Sequence, residues 1–192
     1  MTTLEFLSVD HVDSSRGFRP VKRSAMHRRL RDAGAAFAER DGWLVATSFP
    51  EDEDRQIAIR DVTHLYRVEE AEAHVEIDLD GAFGVVPPTD RGRSVVARAR
   101  EGAPPVADEV TDLSAAWAGL EIEGQGATRV LHRLTELDLD DLPKVGLLSQ
   151  IRALVARPED ERYLVFFAQE YGHYVWEVVV DAAKPFRGGP AA

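Results

Sequence analysis

The segment VTDLSAAWAGLEIEGQGATRVLHRLTELDLDDLP, from Val110 to Pro143, constrains the fold more than any other part of this 192-residue chain. AWAGLEIEG places Trp117, Leu120 and Ile122 where a strand can turn them towards a core. GQGA reads as a turn, because glycines admit backbone conformations that other residues resist. ATRVLHRLTEL follows with Val130, Leu131, Leu134 and Leu137 at helical spacing, and Pro143 closes the unit. A strand, a tight turn and an amphipathic helix in direct succession call for a mixed architecture of sheets covered by helices.

The rest of the chain repeats these ingredients. RSAMHRRLRDAGAAFAERDGW is expected to be helical: Ser24 serves as N-cap, Met26, Leu30, Ala33 and Phe37 share one face, and Gly42 stops the helix. LVATSF (44–49) reads as a short strand and PEDEDRQ as a solvated acidic loop. IAIRDVTHLYRVEE (57–70) reads as a second strand region and HVEIDL as another. TDRGRSVVARAREGAPPVADE reads as a flexible surface segment or a connection between lobes, in which SVVARARE suits either a strand or a short helix.

After Pro143, VGLLSQIRALVAR and RYLVFFAQ read as paired strands joined at PEDE. EYGHYVWEVVVDAAK reads as a helix with Tyr171, Val175, Trp176, Val179 and Ala182 on one face. The order β-α-β-β-α thus recurs loosely in both halves. We expect an α+β fold built as one domain over 21–185, with β-α-β-β-α-type lobes at about 21–105 and 106–185. A flexible arm over 1–20 precedes it and a disordered tail over 186–192 follows.

Composition narrows the function. Without cysteine there are no disulfides, thiolate zinc sites, Cys-ligated iron–sulfur clusters or Cys nucleophiles. A net charge of −11 argues against a sequence-blind grip on nucleic-acid phosphates and disfavours an anionic membrane surface. No apolar run suits a signal peptide or a membrane span, so a cytoplasmic protein is expected. There is no phosphate-cradling glycine loop, no HExxH and no GxSxG.

Single residues point nowhere decisive. His11, His27, His64, His74, His132 and His173 lack the i,i+4 partners of a helical metal site, so no metal is expected. Asp138, Asp140 and Asp141 lack the glycine and the distant bidentate Glu of a calcium loop. HRRLR (27–31) and RGR (91–93) are solvated basic faces that could meet an anionic tail or an acidic partner. Glu170, Tyr171 and Trp176 could flank a ligand, but the two aromatics read first as core anchors of the last helix and Glu170 as its N-terminal charge.

Two blocks carry a family resemblance. In the first, SAMHRRLRDAGAAFAERDGWLVATSF parallels a Ser-Pro-Leu-His-type start leading to Gly-Gly-Trp, with Ala25 for Pro and Asp41-Gly42-Trp43 for the last three. IRDVTHLYRVE parallels Asp-Val-Ser-His-Met, with Thr63 for Ser and Leu65 for Met. In the second, VTDLSAAWAGLEIEGQGATRVLHRLTELDL parallels Asp-Leu-Ser, a strand, a Gly-Pro-x-Ala turn here at 124–127, a helix and Asp-Leu. Together the blocks resemble the folate-binding domain family of the glycine cleavage T-protein (aminomethyltransferase), and most of all the short gamma-type subunits of heteromeric sarcosine oxidase.

The resemblance implies a T-protein-like, folate-binding-domain-like fold and a tetrahydrofolate pocket lined by Thr63, His64 and Leu65. Read from the residues alone, Asp61 and Thr63 fit first a strand-start Asp capping a turn beside a hydroxyl neighbour. The departures bear on activity. The family's glycine-rich loop with paired aspartates, one essential for aminomethyl transfer, is replaced by DLDDLPKVGLL. Its pterin-holding Gly-Glu-x-Gly-x-Glu has no counterpart; PEDERYL, the nearest stretch, lacks both glycines. The Lys-Gly-Cys motif of related iron–sulfur-repair proteins is absent as well.

No catalytic residue is therefore expected in this chain. The resemblance implies a small subunit of a folate-linked one-carbon enzyme, structural or helping to form the tetrahydrofolate cavity. Its partners would be other subunits of a heteromeric enzyme, a flavoprotein among them. The alternatives are a stand-alone tetrahydrofolate-dependent one-carbon transferase or demethylase, working by positioning more than by acid–base groups, and a ligand-free interaction module of the same fold.

Overall fold

The apolar run 118–122 becomes a central strand with neighbours on both sides and cover on both faces. The computed structural model describes residues 21–50, 56–70, 93–97, 110–112 and 114–186. The expected arm over 1–20, the acidic run 51–55, the strand HVEIDL and tail residues 187–192 lie outside the described residues. The elements run β1 (Lys22–Arg23), α1 (His27–Asp32), β2 (Ala36–Arg40), β3 (Trp43–Ser48), β4 (Ala58–Asp61), β5 (Tyr66–Glu70), β6 (Arg93–Ala97) and β7 (Val110–Asp112). They continue as β8 (Trp117–Glu123), α2 (Ala127–His132), β9 (Lys144–Leu148), β10 (Ile151–Glu159), β11 (Arg162–Ala168) and α3 (Gly172–Ala183). Three sheets with few helices make an α+β fold, as the sequence pattern predicts.

The largest sheet is antiparallel and ordered β4-β8-β11-β10-β9. Side chains alternate across a strand, so each strand feeds both faces. Ala118, Leu120 and Ile122 of β8 join Tyr163, Val165 and Phe167 of β11 on one face, against Val130 and Leu131 of α2 and Val175 and Val179 of α3. Each such large side chain, fully buried, contributes about 1.5–3 kcal/mol. The other face carries Leu154, Leu164 and Phe166 with Val62 and Leu65, and Trp117 packs there, opposite Leu120 and Ile122. Gly119 lets this layer close: a Cβ there would stand 2.6 Å from the Phe166 ring and 3.2 Å from Val62.

The amino-terminal part departs from the helix expected through 24–41. Met26 and Leu30 are buried as their spacing requires, but α1 stops at Asp32 and Gly34 turns left-handed at φ +80°. The chain then forms a β2–β3 hairpin closed by Asp41 and Gly42, with φ of 50° and 76°. Two left-handed residues in a two-residue loop match the right-handed strand twist, and Asp-Gly suits that turn. Burying Trp43, Val45 and Ala46 in a paired strand outweighs extending a short helix. The N-cap position falls on Met26, and the Ser24 hydroxyl is used elsewhere.

Three further boundaries shift. Segment 57–70 divides into β4 and β5, which belong to different sheets; β5 sits between β6 and β7. Residues 93–97, expected within a connecting segment, are therefore a paired strand. Ser149 and Gln150, with φ of 46° and 72°, divide VGLLSQIRALVAR into β9 and β10. α2 is only six residues long, although Leu134 beyond it is still buried. α3 forms as expected with Tyr171 exposed just before it, and Phe186 lies in a 3-10 turn under the Arg129 guanidinium at 4.8 Å. Among the described residues no helix is long and apolar enough to cross a membrane.

Candidate functional site

Where β4 ends, the chain folds through a tight turn over 62–65, closed by the Leu65 amide donating to the Val62 carbonyl at 3.0 Å. This turn faces the β2–β3 hairpin across a cavity of about 230 Å³. Its apolar wall is Val62, Leu65 and Leu164, and its polar wall includes Arg40, Thr47, His64, Arg60, Glu121 and Arg162. Asp61 stands at its back, 3% exposed.

Asp61 organises the turn. Its Oδ1 accepts from the Thr63 amide and its Oδ2 from the Ser24 hydroxyl, both at 3.0 Å. Burial pushes its carboxyl above the usual aspartate range, against the pull of hydrogen bonds from Thr63, Ser24 and the Ala46 backbone. Thr63 in turn accepts the Gly119 amide on Oγ1 at 3.1 Å, which ties the turn to the central strand.

Glu121 is the one acid in the middle of an otherwise apolar strand, and strand register supplies its partners. Arg60 of β4 lies directly across from it, and Arg162 of β11 lies across from Glu123. Arg60 donates Nη1 to Glu121 Oε2 at 3.2 Å, and Arg162 donates Nε to Oε1 at 2.6 Å. Arg60 also bonds Glu123, and Arg162 reaches Glu159 at 3.1 Å. The Glu123 hydrogen bond first, then Glu121, raise the Arg60 pKa despite its partial burial. A buried carboxylate held by two guanidinium groups satisfies the rule that a buried charge is paired.

Of the three residues singled out by resemblance, His64 and Leu65 line this cavity and Thr63 lies behind them, with its hydroxyl committed to the backbone of β8. Arg40, Arg60, Glu121 and Arg162 were not anticipated. The signal available was the acid in AGLEIE, but its arginine partners lie 61 and 41 residues away and require the register to be known. Trp176 stacks on Phe49 at 5.6 Å in the core and also lines the open groove beside α3. Asp138 accepts the Asp140 amide at 3.1 Å in a local turn. A second, open groove of about 740 Å³ runs beside α1 and α3, its charges paired as Arg29–Glu177 at 2.5 Å and Lys184–Asp181 at 2.8 Å.

No protein-family model matches this sequence, and no curated protein matches it. Solved structures do. A chain of the heterotetrameric sarcosine oxidase from Corynebacterium sp. U-96 superposes with a TM-score of 0.63 at 16% identity, covering 89% of this chain and 99% of that one. Aminomethyltransferase T of the glycine cleavage system from Bartonella henselae superposes with a TM-score of 0.54 at 13% identity, covering 83% of this chain and 57% of that one. The fold is that of the aminomethyltransferases. This chain spans nearly all of the sarcosine oxidase chain but little more than half of the aminomethyltransferase.

Within this aminomethyltransferase fold, the cavity does not by itself fit a whole tetrahydrofolate. Pockets for ligands of that size run to roughly 300–1,000 Å³, and this one is about 230 Å³. A pterin edge would have to share its carboxylate, since both oxygens of Asp61 and both of Glu121 already accept hydrogen bonds. The hydroxyls nearby are engaged with backbone, Thr63 accepting the Gly119 amide and Thr47 donating to the Ala36 carbonyl at 3.3 Å. What the walls offer is guanidinium recognition beside an apolar surface.

Proposed function

We propose that this chain is a small subunit of a folate-linked one-carbon enzyme of the sarcosine oxidase type, with a structural role and a share in the wall of a tetrahydrofolate cavity. One observation carries the reading: a chain of a heterotetrameric enzyme is matched over 99% of its length, at a TM-score of 0.63. The small cavity supports it, since walls enclosing so little space need other chains to complete a cofactor site. Thr63, His64 and Leu65 enter the reading as part of that wall. The redox chemistry belongs to partner subunits, a flavoprotein among them, and a cytoplasmic location goes with such a complex.

Isothermal titration of the isolated chain with tetrahydrofolate tests this. The subunit reading expects no saturable heat. Stoichiometric binding by the isolated chain would overturn it in favour of a stand-alone one-carbon transferase.

A further inference from the structure

Three arginines line the cavity beyond β4 from strands far apart in sequence: Arg40 at the end of β2, Arg60 on β4 and Arg162 on β11. Two of them are matched, Arg60 by Glu121 and Glu123 and Arg162 by Glu121 and Glu159. Glu121 is shared between Arg60 and Arg162, and Asp61 is turned towards Ser24 and the Thr63 amide. Arg40 has no ion pair among the described residues, in a chain whose net charge is −11. The remaining wall carries Ala46, Val62, Leu65 and Leu164 beside Thr47 and His64. A bare inorganic anion would pair with Arg40 but leave the apolar wall unused.

We propose that this cavity binds a small organic carboxylate, its carboxylate group paired with Arg40 and its apolar part laid against Leu65 and Leu164. A guanidinium offers a carboxylate two parallel N–H donors, and Arg40 is the one of the three with that fork uncommitted. The volume of about 230 Å³ sets the size class at a compact acid. The apolar wall supplies the discrimination, because an aliphatic group loses water-exposed surface there and phosphate has none to lose. This inference stands independently of the subunit reading.

Nuclear magnetic resonance of the full-length, nitrogen-15-labelled chain tests it, with isobutyrate and inorganic phosphate titrated separately. Isobutyrate is expected to shift the amides of Thr47, Val62 and Leu65 saturably, with phosphate roughly tenfold weaker or worse. Arg40→Met removes an exposed side chain with no ion pair and is expected to weaken isobutyrate roughly tenfold or more, the usual scale for a charge-assisted contact. Arg28→Met, exposed on α1, is expected to change nothing. The proposal is overturned by an absence of saturable shifts, by equal binding of phosphate and isobutyrate, or by an Arg40→Met variant that binds as tightly as the parent.

Discussion

The Ser24 hydroxyl donates to Asp61 Oδ2 at 3.0 Å, joining two buried residues that lie 37 positions apart. Through it the segment entering α1 is fastened to the turn that forms the back of the cavity. A buried carboxylate that loses a donor retains its desolvation cost without the compensation, so Ser24→Ala is expected to lower stability by about 1–3 kcal/mol. Urea denaturation measures this, and an unchanged midpoint would show that the link is incidental.

Asp61 also gives the fold a pH signature. Its folded pKa is raised by burial, so its contribution is fully present below the ordinary aspartate value and is lost as pH rises through the elevated folded one. Asp61→Asn carries no charge to bury and lacks this loss. The stability of Asp61→Asn relative to the parent should therefore climb as pH rises from the ordinary aspartate range towards neutrality. A difference independent of pH would contradict the assignment.

Gly119 is required by packing. Gly119→Ala would drive a methyl group into the Phe166 ring and against Val62, and overpacking of this kind costs about 1–3 kcal/mol. Combining it with Phe166→Leu should recover part of that loss relative to the sum of the single changes. Thermal unfolding of the four proteins in the cycle gives the coupling, and strict additivity would count against direct contact.

Glu161 caps α2 from the β10–β11 turn. Its Oε2 accepts the Gly126 amide at 2.9 Å and the Thr128 amide at 3.2 Å, while Oε1 accepts the Thr128 hydroxyl at 3.1 Å. Burial alone would raise its pKa, but these hydrogen bonds prevail and hold it below the usual glutamate range. The stabilisation is thus present above the unfolded carboxylate value and lost as pH falls through the depressed folded one. Glu161→Ala should cost about 1 kcal/mol near neutrality, as loss of a cap does, and less in acid; a cost that grows in acid would contradict the capping role.

What could be read from the sequence follows the range of the interactions. β8, the β10–β11 pair and α3 are visible because their apolar patterns are local and strong. The 24–41 helix was misplaced because Met26 and Leu30 do lie on a helix, and Phe37 continues the same spacing by coincidence after Gly34 has broken it. The Asp41-Gly42 hairpin signal was there to be weighed against that period. Ser149-Gln150 gives no such signal, since neither residue favours the left-handed backbone it adopts. At the cavity, the 61–65 motif was legible through its resemblance to a known family. The Arg60–Glu121–Arg162 group was not, because it exists only once three strands are aligned in register.

Whether this chain works inside a larger enzyme is measured most directly by native mass spectrometry of the chain purified from its own cells by a single affinity tag, with flavin absorbance recorded on the same fraction. The expected result is a defined hetero-oligomer in which this chain is held in fixed ratio with larger subunits and the fraction carries flavin. Recovery of the chain solely as a free monomer or homo-oligomer, with no flavin, would contradict it.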